Sequence, residues 1–130
     1  MSQLNFHISK NYTSPPPDNG DIPIISKLNE AYKLWHIFLI HLPKIIRFTL
    51  GAKIDTLFTD CLEIALLASY QPKDEKANII KQLNTKFDML KFFIKLLWEI
   101  KAIDTNKLTA LSTPLSEVGK MIGGWMKFYK

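Results

Sequence analysis

Four successive segments of this chain place apolar residues at three- and four-residue intervals, with only short runs of turn chemistry between them. That spacing keeps the apolar side chains on one face of a helix, so each segment can bury them only by packing against the others. Positions 24, 28, 31, 35, 38 and 42 form the first stripe, widened by Tyr32 and Leu39. Pro43 ends it, because proline disfavours helix in the residue before it. The second stripe, within about 49 to 70, runs through Leu50, Ile54, Leu57, Cys61, Ile64, Leu67 and Ala68; Thr49 is its expected N-cap, unless residues 48–51 continue a turn from the helix before. Gln71-Pro72-Lys73-Asp74 breaks the pattern, and Asp74 is the expected cap of a third helix that reaches about residue 102. Its stripe is Leu83, Phe87, Leu90, Ile94 and Leu97, and Phe92, Phe93, Leu96, Trp98 and Ile100 add apolar surface beyond what a simple bundle buries. Asp104 or Thr105 caps a fourth helix ending near Phe128, where Pro114 predicts a kink or a restart at Ser112-Thr113. Short breaks between four helices predict an all-α, antiparallel up-down-up-down four-helix bundle.

Glycine disturbs the fourth stripe. Leu108, Leu111, Leu115, Val118, Ile122 and Trp125 keep helical spacing, yet Gly119, Gly123 and Gly124 lie among them. Each glycine costs a helix about 1 kcal/mol relative to alanine, so keeping three predicts that backbone approaches backbone there. Together with the surplus aromatics Phe92 and Trp98, Gly119, Gly123, Gly124 and Trp125 are the expected packing or oligomer surface.

The chain divides unevenly. Residues 1 to 21 hold Pro15-Pro16-Pro17 and Asp18-Asn19-Gly20 among Asn, Ser and Thr, which predicts a flexible tail. Residues 22–130 carry the stripes and form the bundle domain; 130 residues close one core and not two. Cys61 is the only cysteine, which excludes an intrachain disulfide and fits a reducing, cytoplasmic setting. Residues 1 to 20 lack the apolar core of a signal peptide, and the near-apolar run 34–43 is too short to span a bilayer.

Chemistry is scarce. His36 and His41 are five apart and fall on different helical faces, so they do not form a metal pair, and no Glu-x-x-His motif supplies the ligands of a di-iron bundle. Cys61 lies within an apolar stripe, as a buried small hydrophobe does. Gly123-Gly124 follows no strand and is not a phosphate loop. A bundle enzyme would need a polar cavity, and the inward positions are almost all apolar. No catalytic residue, metal or cofactor is expected.

The basic residues say more. Seventeen of them against twelve acidic give a formal charge of +5, and Arg47 is the only arginine. Lysine suits phosphate backbones and reads base edges poorly. Lys91 and Lys95 follow one exposed line of the third helix, above Asp88 and Asn84, and Lys44, Arg47 and Lys53 gather around the junction of the first two helices beside His41. Lys120, Lys127 and Lys130 thicken the C-terminal end. Lys44, Arg47, Lys53, Lys91, Lys95 and Lys120 are the candidate nucleic-acid contacts; repeated around a symmetric ring they would sum to a strong field.

Four short elements carry a resemblance: Ile22-Pro-Ile-Ile25, Phe48-Thr-Leu-Gly51, Ala68-Ser-Tyr70 and Val118-Gly-Lys-Met-Ile-Gly-Gly-Trp125. In these the chain, over roughly 22 to 127, resembles the Avd family of accessory proteins of diversity-generating retroelements, four-helix bundles related to proteins encoded in ribosomal RNA intervening sequences. Lys120 stands where such proteins often carry arginine. The resemblance implies a non-catalytic homopentameric ring that binds the retroelement's reverse transcriptase and template RNA or cDNA and supports mutagenic cDNA synthesis, with no membrane partner. The alternative reading is a protein-interaction bundle without nucleic-acid binding, whose lysines keep it soluble.

Overall fold

The computed structural model describes residues 21–129, and over these it is helical, with no strand. The tail expected at the N-terminus lies outside the described residues but for Asp21, which opens the first helix. Four helical runs follow: α1 (Asp21–Ile40), α2 (44–69), α3 (Lys73–Glu99) and α4 (Thr105–Phe128). Each packs on its neighbours in sequence, and α1 also packs on α4, which closes the square of a bundle. Contacts between helices fix the antiparallel register. Trp35 in the last turns of α1 donates from Nε1 to Asp55 Oδ1 in the first half of α2 (3.2 Å), and Lys86 of α3 meets Asp60 of α2 at 3.1 Å. Lys27 near the start of α1 meets Glu117 of α4 at 3.2 Å. At the far end, Lys73 and Lys76 opening α3 lie 6.0 and 5.2 Å from the rings of Phe128 and Tyr129 closing α4.

The first stripe is inward as predicted: Ile24, Leu28, Ala31, Trp35 and Leu42 are buried, and Phe38 is half-buried. In α3, Leu83, Phe87, Leu90, Ile94 and Leu97 are buried, joined by Ile80. The second stripe needs correcting. Ile54, Leu57, Phe58, Cys61, Ala65 and Ala68 are buried, whereas Leu67 is exposed and Leu50 and Ile64 are half-buried. Phe58 earns its place through Trp35, whose ring stacks on it at 6.0 Å, and Tyr32, which meets it edge-on at 5.7 Å. These two aromatics turn α2 so that position 58 faces inward and position 67 outward.

Helix ends also differ from expectation. α2 begins at Lys44 after Pro43, not at Thr49, and passes through a π-helical turn at Arg47–Gly51 before resuming as Ala52–Ser69. Thr49 therefore caps nothing; its hydroxyl donates back to the Ile45 carbonyl at 2.7 Å. Residues 48–51 continue the helical turn that starts at Lys44 within α2, not one carried over from α1, which stops at Ile40. α3 starts behind Pro72, whose fixed φ suits a helix entry, and Asp74 lies in the first turn without capping. It ends at Glu99, three residues before the predicted end. Lys101 takes φ 66°, its N–H bonds to the Trp98 carbonyl, and the Ala102 N–H bonds to the Leu97 carbonyl. That is a Schellman stop, with lysine where glycine usually stands. Asp104 caps α4 as expected, its carboxylate accepting from the Lys107 N–H at 2.9 Å. Pro114 neither ends nor restarts α4, which runs through it as one helix. Ser112 and Thr113 hydroxyls donate back to the carbonyls of Leu108 and Thr109 in place of capping.

Candidate nucleic-acid interface

Two helical lines of i, i+4 residues face each other across the α3–α4 seam. Lys91 and Lys95 stand on α3; Ser112, Ser116 and Lys120 stand on α4. Between them lies an open groove of about 580 Å³, floored by Ile94, Leu108 and Leu115, with Trp98 at one end and Gly119 beside Lys120. The seam opens here because α4 presents serine and glycine opposite the lysines: small side chains leave a channel where leucines would have met. Trp98 is half-buried, and its indole N–H donates to Thr105 Oγ1 at 3.1 Å, which ties the ring to the start of α4. Lys91, Lys95 and Lys120 are all exposed. Lys91 lies 5.0 Å from the Phe87 ring and 3.6 Å from Asp88, a loose pair that solvent screens.

The structure thus brings together three of the six basic candidates, with Trp98 and Gly119 from the packing set. It does not bring in Lys44, Arg47 or Lys53, which belong to the α1–α2 corner. Lys44 and Lys53 are exposed there, Lys53 resting 5.8 Å from the Phe93 ring. Arg47 is half-buried and folded onto its own backbone: Nη2 donates to the Leu42 carbonyl at 3.1 Å, and Nε is buried without a hydrogen-bond partner. The chain's single arginine closes the end of α1, and its fork does not project to solvent as a phosphate clamp would.

The glycines separate in the same way. A β-carbon at Gly119 would touch the Phe87 ring at 3.4 Å, whereas at Gly123 and Gly124 nothing lies within 4 Å. Within the chain, then, no backbone approaches residues 123 and 124: with 118, 122 and 125 facing inward, they fall on the outer side of α4. The close approach occurs at Gly51, where a β-carbon would meet Leu39 Cδ1 at 3.0 Å, the Ile46 carbonyl at 3.1 Å and Leu42 Cδ1 at 3.3 Å. Of the expected aromatic surface, Trp125 is buried, while Phe92 is 63% exposed and touches Phe93 edge-on. A second apolar exposure lies at the α1–α2 corner, in Ile37, Ile40, Ile45 and Phe48.

The groove's serines escaped the sequence reading, although their signal was present: 112, 116 and 120 share one face of α4 as 91 and 95 share one face of α3. What the sequence lacked was the pairing of those faces.

Elsewhere, Cys61 is buried, and burial, with Asp60 next, pushes its thiol up to about 12. It is no nucleophile at neutral pH. His36 and His41 are exposed, and His41 Nδ1 lies 2.8 Å from the Ile37 carbonyl. Among the described residues no group of three or more His, Cys, Asp or Glu could hold a metal, and no helix is long and apolar enough to cross a membrane.

Comparison with curated proteins and with solved structures returns no match. Residues 24–129 match the sequence model of the bAvd-like family. That span takes in α1 from Ile24, the other three helices, the groove and three of the four short elements in full, so the chain belongs to the bAvd-like family and is an Avd-type protein.

Proposed function

We propose that this protein is the non-catalytic accessory subunit of a diversity-generating retroelement, gripping template RNA or cDNA and the reverse transcriptase as a ring of five copies. Family membership supports the accessory role. One observation carries the nucleic-acid part: Lys91, Lys95 and Lys120, from two different helices, converge on one groove. Lysines neutralise phosphates without reading sequence, so the binding is sequence-tolerant and weakens as salt rises. A ring would repeat the groove and sum its field.

The test is RNA binding by anisotropy over a salt series, for the wild type and for the triple variant Lys91→Glu, Lys95→Glu, Lys120→Glu. Binding should fall and the salt slope should drop by about two units, near 0.7 per lost phosphate contact for single strands. Unchanged affinity and slope would move the interface to another face. Light scattering should find five copies, and the reverse transcriptase should co-purify.

A second reading, a protein-interaction scaffold blind to nucleic acid, draws on the exposed apolar corner of Ile37, Ile40, Ile45 and Phe48. Reverse-transcriptase binding that persists in the triple variant and needs no RNA would favour it.

A further inference from the structure

A surface meant only for phosphates has no use for an apolar slot, yet the three lysines ring one. Its floor is Ile94, Leu108 and Leu115, and its end wall is the Trp98 indole. Its volume of about 580 Å³ falls within the range of sites that enclose small organic groups, roughly 300 to 1,000 Å³. Bases stacked inside a duplex cannot reach into such a slot; an unpaired base can, because its ring faces and edges are free. Single-strand binders pair a basic track for the backbone with aromatic side chains for the bases. Here the track and the aromatic share one groove, and the Trp98 N–H bond to Thr105 holds the ring in place before any ligand arrives.

Electrostatics gives the groove a direction. Trp98 also borders a neighbouring hollow, lined by Glu99, Lys101, Ile103, Asp104 and Thr105. Two carboxylates against one lysine disfavour phosphate on that side, whereas the Lys91, Lys95 and Lys120 side sets three lysines against Asp88 alone, loosely paired to Lys91 outside the lining. The backbone should therefore run along the lysines, with a base turned in toward the indole.

We propose that the α3–α4 groove receives an unpaired base of single-stranded nucleic acid against Trp98, with the flanking phosphates on Lys91, Lys95 and Lys120. This rests on the nucleic-acid reading above and narrows it from phosphate in general to exposed single strand. Of the three tryptophans, Trp35 is fully buried and Trp125 nearly so, which leaves Trp98 as the fluorescent reporter.

The experiment compares three probes of equal length on the full-length protein: a single-stranded oligouridylate, an abasic strand with the same phosphates, and an RNA duplex. Ser116→Phe fills the groove from an exposed position and leaves every lysine in place; circular dichroism checks its fold. The oligouridylate should bind at least about fivefold tighter than the abasic strand, since stacking is worth about 1 kcal/mol or more per base. It should quench tryptophan fluorescence where the abasic strand does not, and Ser116→Phe should erase both differences. Equal binding of all three probes, unaffected by Ser116→Phe but lost in the triple lysine variant, would overturn base insertion and leave the phosphate surface standing. Binding of no probe would overturn both.

Discussion

Gly51 and Gly124 both lie inside helices, yet substitution at the two should act in opposite directions. A β-carbon at Gly51 presses on the Ile46 carbonyl at 3.1 Å, and backbone cannot swing aside as a side-chain tip can. Gly51→Leu should destabilise the protein by about 1–3 kcal/mol, read as a lower denaturation midpoint. Gly124 has open space, so Gly124→Ala should gain about 0.5–1 kcal/mol from helix propensity. Gly124→Leu should likewise leave a protomer's fold intact; a smaller oligomer in that variant would place residue 124 between copies. Cys61 gives a pH signature. Its thiol is raised to about 12 in the folded chain and lies near 8.5 when unfolded. The unfolded chain therefore gives up this proton first as pH rises, and the thiol's contribution to stability is full below about 8.5 and lost progressively above it. Cys61→Ala should flatten the fall of melting temperature between about pH 8.5 and 10, below the main titration of tyrosine and lysine. An unchanged slope would mean that the thiolate is tolerated inside.

The helices began and ended by local chemistry that is only partly visible in the residue types. Asp104 is a legible cap, and Asp104→Ala should cost about 0.5–2 kcal/mol, a fall of several degrees in melting temperature. Asp74 looks equally good in sequence but lies past a proline that already opens α3, so Asp74→Ala should cost less. The end of α3 was illegible because no glycine marks it. Lys101 adopts the left-handed conformation at some expense, and Lys101→Gly should recover about 1 kcal/mol. A loss in that variant would mean that the lysine side chain has a task of its own. Pro114 does not restart the helix: α4 continues through it with the proline buried against the bundle, where an isolated helix would break.

At the scale of the molecule, the bundle joins its helices by polar ties, such as Trp35 to Asp55 and Lys86 to Asp60, laid over an apolar core. The buried apolar faces are the ones that meet, and the α3–α4 pairing creates the groove. The surplus apolar surface read from α3 is real but divided: Phe93, Leu96 and Trp98 are half-buried, and Phe92 and Ile100 remain exposed. Phe92→Ser should leave the fold intact, since its side chain already faces water. If a ring of copies covers that side chain, light scattering on the same variant will report dissociation.

Residue spacing alone determined that four helices form, which residues of α1, α3 and α4 fill the core, and where α4 is capped, because each depends on neighbours three or four places away. The sequence also carried the resemblance to the family that the match over residues 24–129 bears out. Only tertiary structure decided that Arg47 turns inward, that Phe58 displaces Leu67 from the core, and that Gly51 rather than Gly124 is the tight glycine. It alone brought Lys91, Lys95, Ser116 and Lys120 to one groove. These are facts about which face meets which, and a single helix's periodicity is blind to the partner it will meet.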